Sequence, residues 1–116
     1  KLMNILFSYK ISRAYENDIN TYVIHPGWIN SNFANYNQTA PRFIVKIARF
    51  LFAKKPSNVA NEIYNLCTND KYLKFSGKYL VNNEDKKSSN LSYNKDLQDR
   101  LWKISSEITG VKTDSL

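Results

Sequence analysis

The chain has 116 residues, 42% hydrophobic and 14% aromatic, with three Gly, three Pro and 17 Lys+Arg against 10 Asp+Glu. Its apolar content excludes a disordered tail, and its low glycine and proline exclude a collagen-like or low-complexity chain. One domain is left, able to bury roughly two-thirds of its unfolded surface. Cys67 is the one cysteine, which excludes a disulfide framework, a Cys-x-x-Cys pair and a cysteine-built zinc site, and makes a reducing, cytoplasmic setting the default. The net charge of +7 is spread from Lys1 to Lys112. Scattered charge of this kind does not mark a nucleic-acid partner, and fifteen Asn beside thirteen Lys fit an AT-rich coding genome.

From Lys1 to about Asn17 the apolar residues fall on two stripes, Leu2/Ile5/Leu6/Tyr9 and Met3/Phe7/Ile11/Ala14. A helix apolar on both sides is expected to be covered on both sides. With no N-cap before this pattern, the sequence is expected to begin inside a helix, as a fragment does. Ile19 to His25 carries the run Thr21-Tyr22-Val23-Ile24, which reads as a buried strand of a parallel sheet. Pro26-Gly27 stops it, and Trp28 to Ala40 is polar and irregular.

Pro41 can open a basic amphipathic helix through Phe52, with Arg42, Lys46 and Arg49 opposite Phe43, Ile44, Ile47, Phe50 and Leu51. Phe43 to Ala53, the longest apolar stretch, is interrupted by Lys46 and Arg49 and falls far short of the ~20 apolar residues of a spanning helix. A further helix starts at Pro56 or Ser57, buries Val59, Ile63 and Leu66, and ends near Asn69-Asp70. Lys78 to Val81 reads as a short strand after Gly77, and Asn82 to Asn90 as a charged loop. Leu97, Leu101, Ile104 and Ile108 define one face of a last helix stopped by Gly110. Helices alternating with buried strands imply an α/β sheet covered on both faces, most of which lies outside these 116 residues.

A strand ending in His25-Pro26-Gly27-Trp28-Ile29-Asn30-Ser31, after a helix that opens with Lys1-Leu2-Met3-Asn4-Ile5-Leu6-Phe7, resembles the C-terminal part of a short-chain dehydrogenase/reductase. Within that family it looks most like the retinol-dehydrogenase-like branch. Pro56 opening a helix, Ser76-Gly77-Lys78-Tyr79 before the last strand, and Leu101-Trp102 through Ile108-Thr109-Gly110 follow in order, so the likeness covers nearly the whole chain. It implies that residues 1–116 are the C-terminal part of one NAD(P)-binding Rossmann-type domain, a doubly wound parallel sheet with helices on both faces. The N-terminal half, with the pyrophosphate turn and the catalytic Ser and Tyr, is then absent, and the fragment is inactive alone. The cofactor implied is NADP or NAD, and the substrate a small-molecule alcohol or carbonyl, with retinoids and steroids as lipid-like examples.

By the same resemblance Lys1 is the catalytic Lys of a Tyr-x-x-x-Lys motif whose Tyr stands four positions upstream. A phenol titrating near 10 must be brought close to neutrality to act as acid and base. An ammonium about 4 Å away, at an effective dielectric of about 20, contributes about 4 kcal/mol, which is of that size. The resemblance also makes Lys1 a donor to the nicotinamide ribose and assigns Pro26, Gly27, Ile29 and Ser31 to the cofactor, with Ser31 standing where the family usually has Thr. Ligands of open α/β sheets bind outside the carboxyl ends of the strands, where Gly27 permits close backbone approach. Trp28, Phe43, Ile47 and Phe50 are the substrate-binding candidates, in the place of the family's substrate loop and helices.

His25, the one histidine, cannot build a metal site or a Ser-His-Asp triad alone and reads as structural. Cys67 reads as a core thiol, and Trp102 and Tyr79 as packing residues. A rival reading is a non-enzymatic basic module whose 41–55 helix lies peripherally on an anionic membrane. A homodimer interface and contacts with the missing half fit the two-sided first helix equally well.

Overall fold

A computed structural model of the chain describes residues 1–16, 18–27, 29 and 53–111. The helix expected from Pro41 to Phe52 lies outside the described residues. Helix α1 spans Leu2–Ala14, with Lys1 at its N-cap and Arg13 in its last turn, where a cation complements the helix dipole. It stops short of Asn17 because the amides of Asp18 and Ile19 both turn back to the Tyr15 carbonyl, at 3.1 and 3.0 Å. Ile19 is therefore an exposed linker residue, and strand β1 is Tyr22–His25, shorter than the expected Ile19 to His25.

Two hydrogen bonds set the register of the sheet. The Thr21 amide donates to Ser76 Oγ at 3.2 Å, and the Gly77 amide donates to the Thr21 carbonyl at 2.7 Å. They align β1 parallel to β2 (Lys78–Val81), with Val23 beside Tyr79 and Ile24 beside Leu80. The parallel pairing is as expected, but the sheet is mixed. Asn82 and Asn83, at φ 54° and 62°, make a two-residue turn. Positive φ at both central positions matches the twist of a hairpin, and the chain returns antiparallel as β3 (Glu84–Asp85). The expected loop over Asn82 to Asn90 is thus partly a hairpin, marked by its Asn-Asn pair and obscured by the charges that follow.

Successive strand residues point to opposite faces. Tyr22 faces the side of helix α2 (Pro56–Thr68) and the 3-10 helix Asp70–Phe75, its hydroxyl donating to the Tyr72 carbonyl at 3.4 Å. Val23, on the other face, lies with Tyr79 opposite the first turn of α1. The described helices therefore lie against both faces, and Leu80, in the row of Ile24, is fully buried. Leu6, Val59 and Leu66 are the other buried apolar side chains among the described residues, each contributing about 1.5–3 kcal/mol.

Helix α2 has Pro at its first position and buries Val59 and Leu66, while Ile63 and Cys67, both expected in the core, are exposed. At about 100° per residue, Leu66 falls within about 20° of Val59 around the helix, Ile63 about 40° away and Cys67 about 80° away. The covered strip is narrower than the apolar one. Asn69 ends the helix and accepts the Lys71 amide on Oδ1 at 3.2 Å.

A second 3-10 helix, Asn90–Tyr93, leads to α3 (Lys95–Thr109), capped by Asn94 Oδ1 accepting the Leu97 amide at 3.1 Å and stopped by Gly110. Helix α3 packs antiparallel on α1: Phe7 stacks on Trp102 at 5.0 Å, and Lys10 lies 3.0 Å from Asp99, which also pairs with Arg13. The Lys10 hydrogen bond, with the Arg13 charge, holds the Asp99 carboxyl below its usual range. The expected apolar face of the last helix is covered only in part, with Leu97 and Leu101 half-buried and Ile104 and Ile108 exposed, Ile108 by 80%. The second stripe of α1 also departs from expectation: Ile11 is half-buried, but Met3, Phe7 and Ala14 are exposed.

Beside this contact, the Tyr9 hydroxyl lies 2.8 Å from Ser88 Oγ, itself 2.6 Å from Ser92 Oγ, and the buried Gln98 donates to the Ser92 carbonyl at 2.9 Å. No helix among the described residues is long and apolar enough to cross a membrane.

Candidate functional site

Strand β1 ends at His25, and Pro26-Gly27 carries the chain away from its carboxyl end. Gly27 has φ 77°, a conformation that L side chains rarely adopt. Among the described residues nothing lies within 4 Å of the point a Cβ would occupy there, so its exposed face is open to close approach. Its amide donates to His25 Nδ1 at 3.1 Å, tying the turn to the residue that ends the strand. The His25 ring in turn meets Tyr79 edge-on, with centroids 6.4 Å apart.

Across from this turn stands the start of α1. Lys1, Asn4 and Ile5 form one wall of a cleft of about 280 Å³, and His25, Pro26 and Gly27 form the other. Val23, Ile24 and Tyr79 also line it, and no acidic side chain is among its described lining residues. Helical spacing explains the first wall, since Lys1 and Ile5 are one turn apart. Sheet register explains Tyr79, which sits beside Val23.

Of the residues singled out in the sequence, Lys1, Pro26 and Gly27 come together in this cleft. Ile29 is half-buried and pairs in parallel fashion with Lys54, whose ammonium lies 2.8 Å from Glu62 of α2. Trp28, Ser31, Phe43, Ile47 and Phe50 lie outside the described residues. Asn4 and Ile5 were given no site role in the sequence, and His25 and Tyr79, which also line the cleft, were read as structural and packing residues. The first two follow from the helical period once Lys1 is placed, whereas Tyr79 emerges only when the two strands are aligned.

A larger cavity, about 580 Å³, opens at the other end of the sheet, where Asn20, Ser76 and Gly77 precede the strands. Its cations are already partnered or mixed with acid: Arg13 is held by Asp99, and Glu16 lines the same space. The smaller cleft has the more informative position, because ligands of parallel sheets gather at the carboxyl ends of strands. An ammonium, an amide, an open glycine face and an apolar floor together suit a flat polar ring joined to a hydroxyl-bearing group.

No family model matches the chain, and no solved structure matches it. The chain is 33% identical over 115 residues to polyprenol dehydrogenase of Homo sapiens, a match covering 96% of this chain and 34% of that protein. It therefore spans about a third of the length of the curated relative it matches.

Proposed function

We infer that the chain is the C-terminal part of a Rossmann-type domain in a short-chain dehydrogenase/reductase that transfers hydride between NAD(P)(H) and a lipid-like alcohol or carbonyl. The observation that carries this reading is the convergence of Lys1 with Pro26-Gly27 at the carboxyl end of β1. Similarity to a polyprenol dehydrogenase along 96% of the chain supports the oxidoreductase class. That relative's name also supports a lipid-like alcohol as the substrate class, for which retinoids and steroids were the expected examples, and nothing in it favours the retinol-dehydrogenase-like branch.

The cleft fits the nicotinamide–ribose end of such a cofactor. Gly27 presents an open face to a flat ring, Ile5, Val23 and Tyr79 give it apolar surface, and the described lining residues include no carboxylate to repel a phosphate-bearing ligand. Bound there, the nicotinamide supplies or accepts the hydride. Lys1 donates to the ribose hydroxyls and lowers the pKa of the upstream phenol through its charge. Ile29 and Ser31 hold the carboxamide, and Trp28, Phe43, Ile47 and Phe50 bind the apolar substrate.

The test is oxidation of a polyprenol with NAD or NADP by a polypeptide carrying the sequence upstream of Lys1. Lys1→Ala should depress turnover on the order of 10²-fold and move the acidic limb of the pH–rate profile upward, because the phenol then titrates nearer 10. Ser31→Ala should be milder, since the backbone contacts remain. Equal and small effects would contradict a catalytic Lys1.

A further inference from the structure

We propose that His25 is a positioning residue: its unprotonated Nδ1 accepts the Gly27 amide and thereby holds the turn that forms one wall of the cleft. The geometry has three parts. The Gly27 amide lies 3.1 Å from His25 Nδ1, Gly27 is in the left-handed region at φ 77°, and the imidazole is kept in place by Tyr79, edge-on at 6.4 Å. Pro26, between the two, has no amide and a fixed φ. The turn therefore has one internal donor, and His25 takes it.

The bond also fixes the tautomer. A neutral imidazole that accepts on Nδ1 carries its proton on Nε2, so the chain presents an N–H donor on the outer side of the ring. An imidazolium has no acceptor nitrogen. Lys1 and Tyr79 share the cleft, and the nearest carboxylate along the row through Val81 is Glu84, already paired with Lys86 at 2.9 Å.

An acceptor two residues ahead of an amide is what an Asn side chain supplies in an Asx turn. His25→Asn should therefore keep the turn, while His25→Phe keeps a ring against Tyr79 and loses the acceptor. The role in catalysis rests on the cofactor reading above; the role in the turn does not. The experiment is NMR of the ¹⁵N-labelled chain. Wild type should show the Nε2–H tautomer at His25, and Gly27 amide exchange should accelerate about fivefold in His25→Phe and stay within about twofold in His25→Asn. With nicotinamide mononucleotide as the probe, the dissociation constant should follow the same order.

An Nδ1–H tautomer in wild type would overturn the proposal without recourse to any variant. So would Asn and Phe variants that exchange alike, whether both match wild type or both depart from it. If the mononucleotide binds none of the three proteins, the cofactor reading fails, and the tautomer and exchange rates still decide the role of His25.

Discussion

The rings of Phe7 in α1 and Trp102 in α3 stack at 5.0 Å with their planes 26° apart, joining the first and last helices of the chain. The contact carries an imperfection, because Trp102 Nε1 is buried with no hydrogen-bond partner among the described residues. Trp102→Phe keeps a ring against Phe7 and removes an unsatisfied donor, whose desolvation costs about 1–3 kcal/mol. It should be neutral or stabilising in urea denaturation. Trp102→Ala removes the stack and most of the buried area and should cost about 2–4 kcal/mol.

Gly77 should tolerate no side chain. It has φ 74°, and a Cβ there would lie 2.5 Å from Ser12 Oγ. Left-handed backbone alone costs roughly 1–2 kcal/mol for an L residue, and the collision adds to it. Gly77→Ala should therefore lower stability by about 2 kcal/mol or more, with Ser12→Ala in the same chain restoring part of the loss. The double-mutant cycle measures that coupling.

Alkaline stability should depend on Tyr9. Burial pushes its phenol up to about 12, against the lowering by its Ser88 hydrogen bond. An unfolded tyrosine ionises near 10. Because the folded value is the higher, this contribution is complete below pH 10 and is lost between about 10 and 12, as the unfolded chain gives up its proton first. Tyr22, also raised by burial, acts in the same direction, and the lowered Tyr93 acts against it. The urea midpoint of wild type should fall across this window, and that of Tyr9→Phe should fall less.

The sequence made local features legible and left coverage hidden. Lys78–Val81 is the strand it implied, and Gly110 ends the last helix where an αL residue was expected. Both are decided by a few adjacent residues. Ile63, Cys67, Ile104, Ile108 and Met3 were expected to be covered and are exposed, because an apolar stripe tells which way a helix faces and not how far its neighbour reaches. The hairpin at Asn82-Asn83 was masked by the charges of Glu84 to Lys87. At the site, Lys1 and Pro26-Gly27 were expected together at the carboxyl end of the strand, and the packing of α1 beside β1 places them on one cleft. The His25–Gly27 bond is local in sequence, yet it depends on a ring orientation that the residue types alone do not specify.

The proposed function requires the cleft between Lys1 and Gly27 to receive the nicotinamide–ribose end of the cofactor. Amide chemical-shift changes are to be mapped while the ¹⁵N-labelled chain is titrated with nicotinamide mononucleotide, a ligand small enough to test the cleft by itself. Saturable shifts are expected at Asn4, Ile5, Ile24, Gly27 and Tyr79, reduced by Lys1→Ala. Shifts centred instead on Ser12, Asn20 and Gly77 at the opposite end of the sheet, or none at millimolar ligand, would contradict the proposed function.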